Sequence, residues 1–401
     1  MNPLSAIDTD NDDPHYRFWS DEPHRLLIPT ALHAERVEAM HSWRAATEKD
    51  KTDKAGLPNR RAAGSDDDAP DFSQHVRGPE DSRDRLLFNV QTLQQLWTQL
   101  HGAASGGDVD KRDRKCVKDL LAIGPWRRTA LADDAEDHLE HLAQSMRHFS
   151  GVVDDLRDAV TLARRGRRPL SVPPILLLGP PGVGKTHFTQ EAARCLGLPT
   201  HTLALDAANG PGALAGSSRY WSNTRTGLVF EALARGYHMS PILLLDEVDK
   251  APRDERMDPL RCLHGLLEPV TAAQFKDESF ALPLDARHVV WIATANDASR
   301  IEPSLLSRFL VHTIGEPDAD QRLKTARHLF RQLLREYDAP DLRLHVSEYA
   351  IEKVAQANPR QQRVLVRRAV ARTLRSERRV VQAKDVPDFG AAEEGRRMGF
   401  L

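Results

Sequence analysis

The chain has 401 residues, enough for two or three domains at roughly 100–200 residues each. Lys and Arg (56) nearly balance Asp and Glu (58), so overall charge argues neither for nor against a nucleic-acid partner, and only local clusters can. The cysteines, Cys116, Cys195 and Cys262, share no metal-ligand or CxxC spacing, which excludes a disulfide scaffold and suits a reducing cytosol.

In chain order, the N-terminus lacks a basic region followed by an apolar run, so it does not read as a secretory signal. No apolar stretch approaches the roughly 20 residues of a membrane helix, and a soluble, cytoplasmic protein with no membrane partner is expected. Apolar residues at three- and four-residue spacing predict helices over 30–47 and 82–102. Between them, 45–82 is rich in charge, Gly, Pro and Ala, and reads as a low-complexity linker that buries too little to order itself. Residues 1–120 are thus expected to form an N-terminal extension, part helical and part disordered. One or two amphipathic helices follow over 138–166. Short apolar strands then alternate with helices: PPILLLG, HTLALD, PILLLDEVD, HVVWIATAND and FLVHTIG. Runs apolar on both faces, such as ILLL, fit a parallel sheet covered by helices on both sides. After Pro317 helical periodicity takes over, which gives an α/β domain at 121–316 and a helical domain at 317–401.

The segment ILLLGPPGVGKTHF (175–188) fits GxxxxGK[ST] between a strand and a helix, the context that motif requires. Gly179, Pro180, Pro181, Gly182, Val183, Gly184, Lys185, Thr186 and His187 are therefore the candidate ATP-binding residues. Glycines let successive N–H groups converge on phosphate oxygens; Lys185 adds a point charge and the Thr186 hydroxyl suits Mg²⁺. The strand PILLLDEVD ends in Asp246 and Glu247, at the edge of the sheet where ligands bind. Asp246 is expected to hold Mg²⁺ and Glu247 to deprotonate the attacking water. Asp249 and Lys250 read as a salt-linked helix start. The strand VVWIATAND ends in Thr294 and Asn296, whose amide can bond a γ-phosphate and a water. Arg308, with Arg300 as competitor, is a candidate for stabilising charge on a neighbouring subunit's nucleotide. Asn358 and Pro359 read as N-cap and first residue of a helix whose first turn carries Arg360. A cation there opposes the helix dipole, and a facing phosphate would account for it.

In this order these elements resemble an AAA+ ATPase, and most closely the ATPase module of Lon protease. DPLRCLHGLLEP, FALPLDARHVVWIATAND and IEPSLLSRFLV strengthen the likeness, which spans about 170–316 well and the helical domain more loosely. The resemblance implies a P-loop NTPase fold of the AAA+ type, with a five-stranded parallel sheet, an all-helical lid and a ring, usually of six. It implies Walker A roles for Lys185 and Thr186, Walker B roles for Asp246 and Glu247, and sensor 1 for Asn296. Arg308 matches the arginine finger and Arg360 the sensor 2 arginine. Gly216 and Gly227 match glycines that bracket the first pore loop, which puts Trp221 on the pore aromatic and Tyr220 just before it. Without that register, the two rings read equally as buried corner residues. No Lon-type proteolytic domain follows the lid in this sequence, so any peptidase activity is expected of a partner.

Three functions fit: a ring-forming motor that remodels or unfolds protein clients, a nucleic-acid motor or loader, and an ATP-controlled switch that recruits a partner through residues 1–120. The second draws on the lid arginines from Arg360 to Arg379 and on ARRGRR at 163–168.

Overall fold

The computed structural model describes residues 16–21, 24–29, 70, 72, 83–102, 108–206, 210, 212–219, 224–252, 258–336 and 344–388. The expected helix at 30–47, most of the linker at 45–82, and Tyr220 and Trp221 lie outside them. Residues 1–69 form one compact unit, in which Tyr16–Asp21 and His24–Pro29 pair as an antiparallel hairpin. Residues 70–401 form the other.

That second unit is built on five parallel strands: β1 (Ile175–Leu178), β2 (Thr200–Ala204), β3 (Ile242–Asp246), β4 (Val290–Ala295) and β5 (Leu310–Thr313). Their order across the sheet is β5-β1-β4-β3-β2. Side chains alternate along a strand, so each apolar run supplies two cores. Ile175, Leu177, Ile242, Leu244, Val290 and Ile292 face one way, and pack with α3 (Ala135–Ser145), α4 (Ser150–Gly166) and α5 (Lys185–Leu196). Leu176, Leu243, Leu245, Trp291 and Ala293 face the other. Their cover includes α1 (Val90–Gly102), α2 (Asp108–Ile123) and α6 (Leu228–Ala234), through Leu93, Trp97, Val117, Leu120 and Phe230. The core of the α/β body thus reaches back to Leu87, into the stretch that the sequence assigned to the extension. The reason is physical: the apolar stripes of α1 and α2 find their partner on the sheet.

The lid is a separate core of Phe330, Leu333, Ile351, Val354, Leu365, Val366 and Val370, on α7 (Ala319–Glu336), α8 (Glu348–Ala355) and α9 (Pro359–Arg375). A two-residue parallel pair, His345–Val346 with Val380–Val381, closes it. The expected start of α9 is found: Asn358 Oδ1 accepts from Gln361 N at 2.9 Å, and Gln361 Oε1 accepts from Asn358 N at 3.3 Å.

Arg127 is almost wholly buried, and its hydrogen-bond partners among the described residues are backbone carbonyls. Its guanidinium donates to the carbonyls of Leu233 and Ala234 at 2.7 Å and of Gly124 and Trp126 at 2.8 Å. Two of these carbonyls end α6, where the helix dipole favours a cation. Arg127→Leu is expected to lower unfolding free energy by about 2–4 kcal/mol in denaturant titration, because four carbonyls lose a charged donor. A change under about 0.5 kcal/mol, as at an ordinary surface site, would count against this role.

Candidate functional site

The loop 179–184 leaves the carboxyl end of β1 and enters α5. Gly182 (φ +86°) and Gly184 (φ +101°) take left-handed conformations that other residues adopt with strain. A side chain on Gly179 would collide with the Ile314 carbonyl. Lys185 is buried in the resulting curl, and its Nζ donates to Gly179 O (2.6 Å), Pro180 O (3.0 Å) and Asn296 Oδ1 (2.9 Å). Burial pulls its pKa down, while the carboxylates of Asp249, Asp246 and Glu247 oppose that shift. Among the loop's other residues, Pro181 is exposed and Val183 buried, and His187 is exposed on the first turn of α5.

Next to the lysine, Thr186 Oγ1 donates to the Asp246 carboxylate at 3.1 Å. Thr294 Oγ1 donates to Asp246 Oδ1 at 2.5 Å and accepts from Glu247 N at 2.9 Å. Glu247 itself sits at φ 59°, a left-handed conformation that costs a non-glycine residue roughly 1–2 kcal/mol. Its Oε1 lies 2.7 Å from Lys250 Nζ. The expected salt-linked start is therefore half right. Lys250 is salt-linked, within a short turn at Val248–Lys250, but Asp249 holds backbone instead. Asp249 Oδ2 accepts from Asn296 N (3.1 Å) and Asp297 N (3.2 Å), and its Oδ1 is buried without a hydrogen-bond partner among the described residues.

The lid and the segment before α4 bound the space over the loop. A Cβ on Gly182 would lie 3.5 Å from Asn358 Oδ1 and 3.6 Å from Arg360 Cβ, and one on Gly184 would lie 3.6 Å from Met146 Cε. His148 Nε2 is 3.1 Å from Val183 O, and burial holds its pKa below the usual value. Phe149 stacks on Phe188 of α5, with centroids 4.3 Å apart, and so fixes this segment against the helix.

The fold thus brings Gly179 to Thr186, Asp246 and Asn296 into one hydrogen-bonded cluster, with Arg360 beside it. The Glu247 backbone belongs to that cluster, but its carboxylate turns to Lys250. Arg308 pairs with Glu268 at 3.2 Å and donates to Ser304 O at 2.6 Å, outside the cluster. The positioning parts played by Thr294, Asp249, Met146 and His148 were not read from the sequence. For Thr294 a signal existed, since residues two apart share a strand face and Asn296 follows at that interval.

The donor set suits Mg²⁺. Thr186 and Asp246 place two hard oxygens side by side, and among the described residues no group of three or more His, Cys, Asp or Glu side chains forms a protein-only cage. Mg²⁺ takes few protein ligands and completes its shell with phosphates and water.

Residues 175–316 match the family described as ATPase family associated with various cellular activities (AAA). Lon protease of Halothermothrix orenii is 30% identical over 312 residues, covering 76% of this chain and 38% of that protein. Lon protease of Nitrosococcus oceani is 30% identical over 233 residues, covering 56% of this chain and 29% of that protein. The chain therefore spans well under half the length of these relatives. A solved structure titled as the RuvB Holliday junction branch migration motor of Thermotoga maritima matches at TM-score 0.43 and 16% identity, over 59% of this chain and 66% of that one. A likeness at that level carries nothing further about this chain.

Thr294→Val keeps the side chain's shape but strands the Glu247 amide and takes a donor from Asp246. By analogy with other outer-shell partners of metal ligands, ATP turnover is expected to fall about 10–100-fold with a raised Mg²⁺ requirement. Steady-state kinetics across Mg²⁺ concentrations would check this, and an unchanged Mg²⁺ dependence would refute it.

Proposed function

We propose, taking residues 175–316 as an AAA domain related to the ATPase module of Lon, that this protein is an ATP-hydrolysing motor. It works as a homo-oligomeric, six-membered ring in the cytoplasm and remodels or unfolds protein clients. The observation that carries the ATPase reading is the convergence of Lys185, Thr186, Asp246 and Asn296 in one cluster at the carboxyl ends of β1, β3 and β4. The loop amides and Lys185 bind the β- and γ-phosphates, replacing the carbonyls that the ammonium now touches. Thr186 and Asp246 hold Mg²⁺, which supplies charge neutralisation on the phosphates when bound. Glu247 leaves Lys250 and takes a proton from a water as its oxygen bonds to the γ-phosphorus. The bond to the β–γ bridging oxygen breaks, and ADP and phosphate result. Asn296 aligns the water with the γ-phosphate, and Arg360 meets that phosphate from the lid. Arg308 leaves Glu268 for the nucleotide of the adjacent subunit.

The client reading rests on the Lon-like register, which puts Tyr220 and Trp221 in a loop between Gly216 and Gly227. Aromatic rings grip extended chains through apolar area with little regard for sequence. One observation favours a second reading, a motor on nucleic acid. The α9 helix carries Arg360, Arg363, Arg367, Arg368, Arg372 and Arg375, all exposed, and no acidic residue. A switch that recruits a partner through the first 120 residues is the third. Among the described residues no helix is long and apolar enough to cross a membrane.

An unfolded model protein should accelerate ATP turnover several-fold, whereas single- or double-stranded DNA should not; the reverse would favour the second reading. Trp221→Ala should keep basal hydrolysis and lose that acceleration. For Arg308→Ala, ATP binding should persist while hydrolysis falls about 10³-fold or more. Undiminished hydrolysis in that variant would move the assignment to Arg300.

A further inference from the structure

Asp277 follows the short strand Phe275–Lys276, which pairs with Pro283–Leu284 just ahead of β4. The carboxylate is buried, and it does not belong to the cluster around Lys185. Its Oδ2 accepts from Gly227 N at 2.8 Å. Oδ1 accepts from Ser279 N (2.9 Å) and Ser279 Oγ (2.5 Å). On its other side stands Gly216, at φ +83°, where any side chain would collide with this same carboxylate. Gly227 in turn packs so closely on Leu214 O and Gly216 N that a side chain there would overlap both. Gly216 and Gly227 are the two ends of the segment 217–226, and both close on one buried carboxylate.

The stem above them is laced in the same manner. Ser217 N donates to Arg225 O at 3.0 Å, Arg225 N to Ser217 Oγ at 2.8 Å, and Thr224 Oγ1 to Ser218 O at 2.8 Å. Glu278 N donates to Ala215 O at 2.8 Å, so the residue after Asp277 holds the chain just before Gly216. Arg219 pairs at 3.0 Å with the buried Asp113 of α2, and Arg112 bridges Asp113 to Ser279 O at 3.1 Å. A buried carboxylate is retained at a cost unless hydrogen bonds compensate it, and here its compensation comes from the loop base and its own turn.

We propose that Asp277 is a positioning residue, whose carboxylate clasps the two ends of the 217–226 loop to the hairpin leading into β4. Loop presentation depends on it, while nucleotide chemistry does not. In its consequence for clients this rests on the reading of that loop as the gripping element; the clasp itself does not.

The test uses the full chain as wild type, Asp277→Ala, Gly216→Ala and the double variant. Amide hydrogen exchange of Ser217, Arg225 and Gly227 should rise at least ten-fold in Asp277→Ala, with amides of 182–186 and 296–297 unchanged. Basal kcat and KM for ATP should stay within two-fold of wild type, and acceleration by an unfolded model protein should fall at least five-fold. Gly216→Ala should open the same clasp from the loop side, without removing a group from the hairpin. If the two act on one contact, the double variant should be no worse than Gly216→Ala alone, because removal of the carboxylate makes room for the added methyl. Exchange unchanged at the stem, or raised equally across the sheet, would overturn the clasp, as would strictly multiplicative defects in the double variant. If wild type shows no response to unfolded protein, the client reading fails, yet the exchange data still decide the role of Asp277.

Discussion

The Lys185 ammonium is taken out of water inside the loop to which it belongs, and most of the site follows from how that is tolerated. Its hydrogen bonds go to three neutral oxygens, two of them loop carbonyls and one the amide of Asn296. Burial disfavours that charge, and the carboxylates of Asp249, Asp246 and Glu247, which arrive on β3 and the turn after it, offset part of the cost. The sheet makes the meeting unavoidable. β1 lies between β4 and β5, and β4 between β1 and β3, so the carboxyl ends of three central strands deliver lysine, amide and acid to one edge.

The same economy extends outward from the cluster. Thr294 ties β4 to the Asp246–Glu247 backbone, and Asp249 ties the turn after β3 to the two residues beyond β4. Adjacent strands are thereby cross-linked at their functional ends by side chains as well as by the ladder. Two side chains of the proposed machinery stand apart from it. Glu247 is held by Lys250 and Arg308 by Glu268, each in an ion pair with substantial solvent exposure. Exposed pairs of this kind are worth roughly 0–1 kcal/mol, so a phosphate or a poised water can displace them readily.

The sheet and the phosphate loop were legible in the sequence, for reasons that can be named. Runs such as ILLL, apolar on both faces, mark strands with two cores, and the structure assigns alternate residues of β1 and β3 to opposite cores. The N-cap at Asn358 was equally legible, because a cap is a local matter of one side chain and the next turn. What escaped the sequence is non-local. The apolar stripe of α1 announced a helix and α2 went unread, but nothing in either says that the sheet some eighty residues beyond α1 is their partner, and so both fell into the expected extension. Asp249 read as half of a salt link because Lys250 stands beside it, yet its oxygen is spent on backbone 47 and 48 residues away. Asp277 lies in a stretch without a motif, and its meaning comes from the loop that folds onto it.

The account depends on Glu247 being the base of an ATP site that the neighbouring groups assemble. The most direct measurement is ATP binding and phosphate release by Glu247→Gln, which keeps the size and loses the basicity of the side chain. ATP affinity within a few-fold of wild type, with phosphate release reduced at least 100-fold, is the predicted result. Phosphate release at the wild-type rate would contradict it.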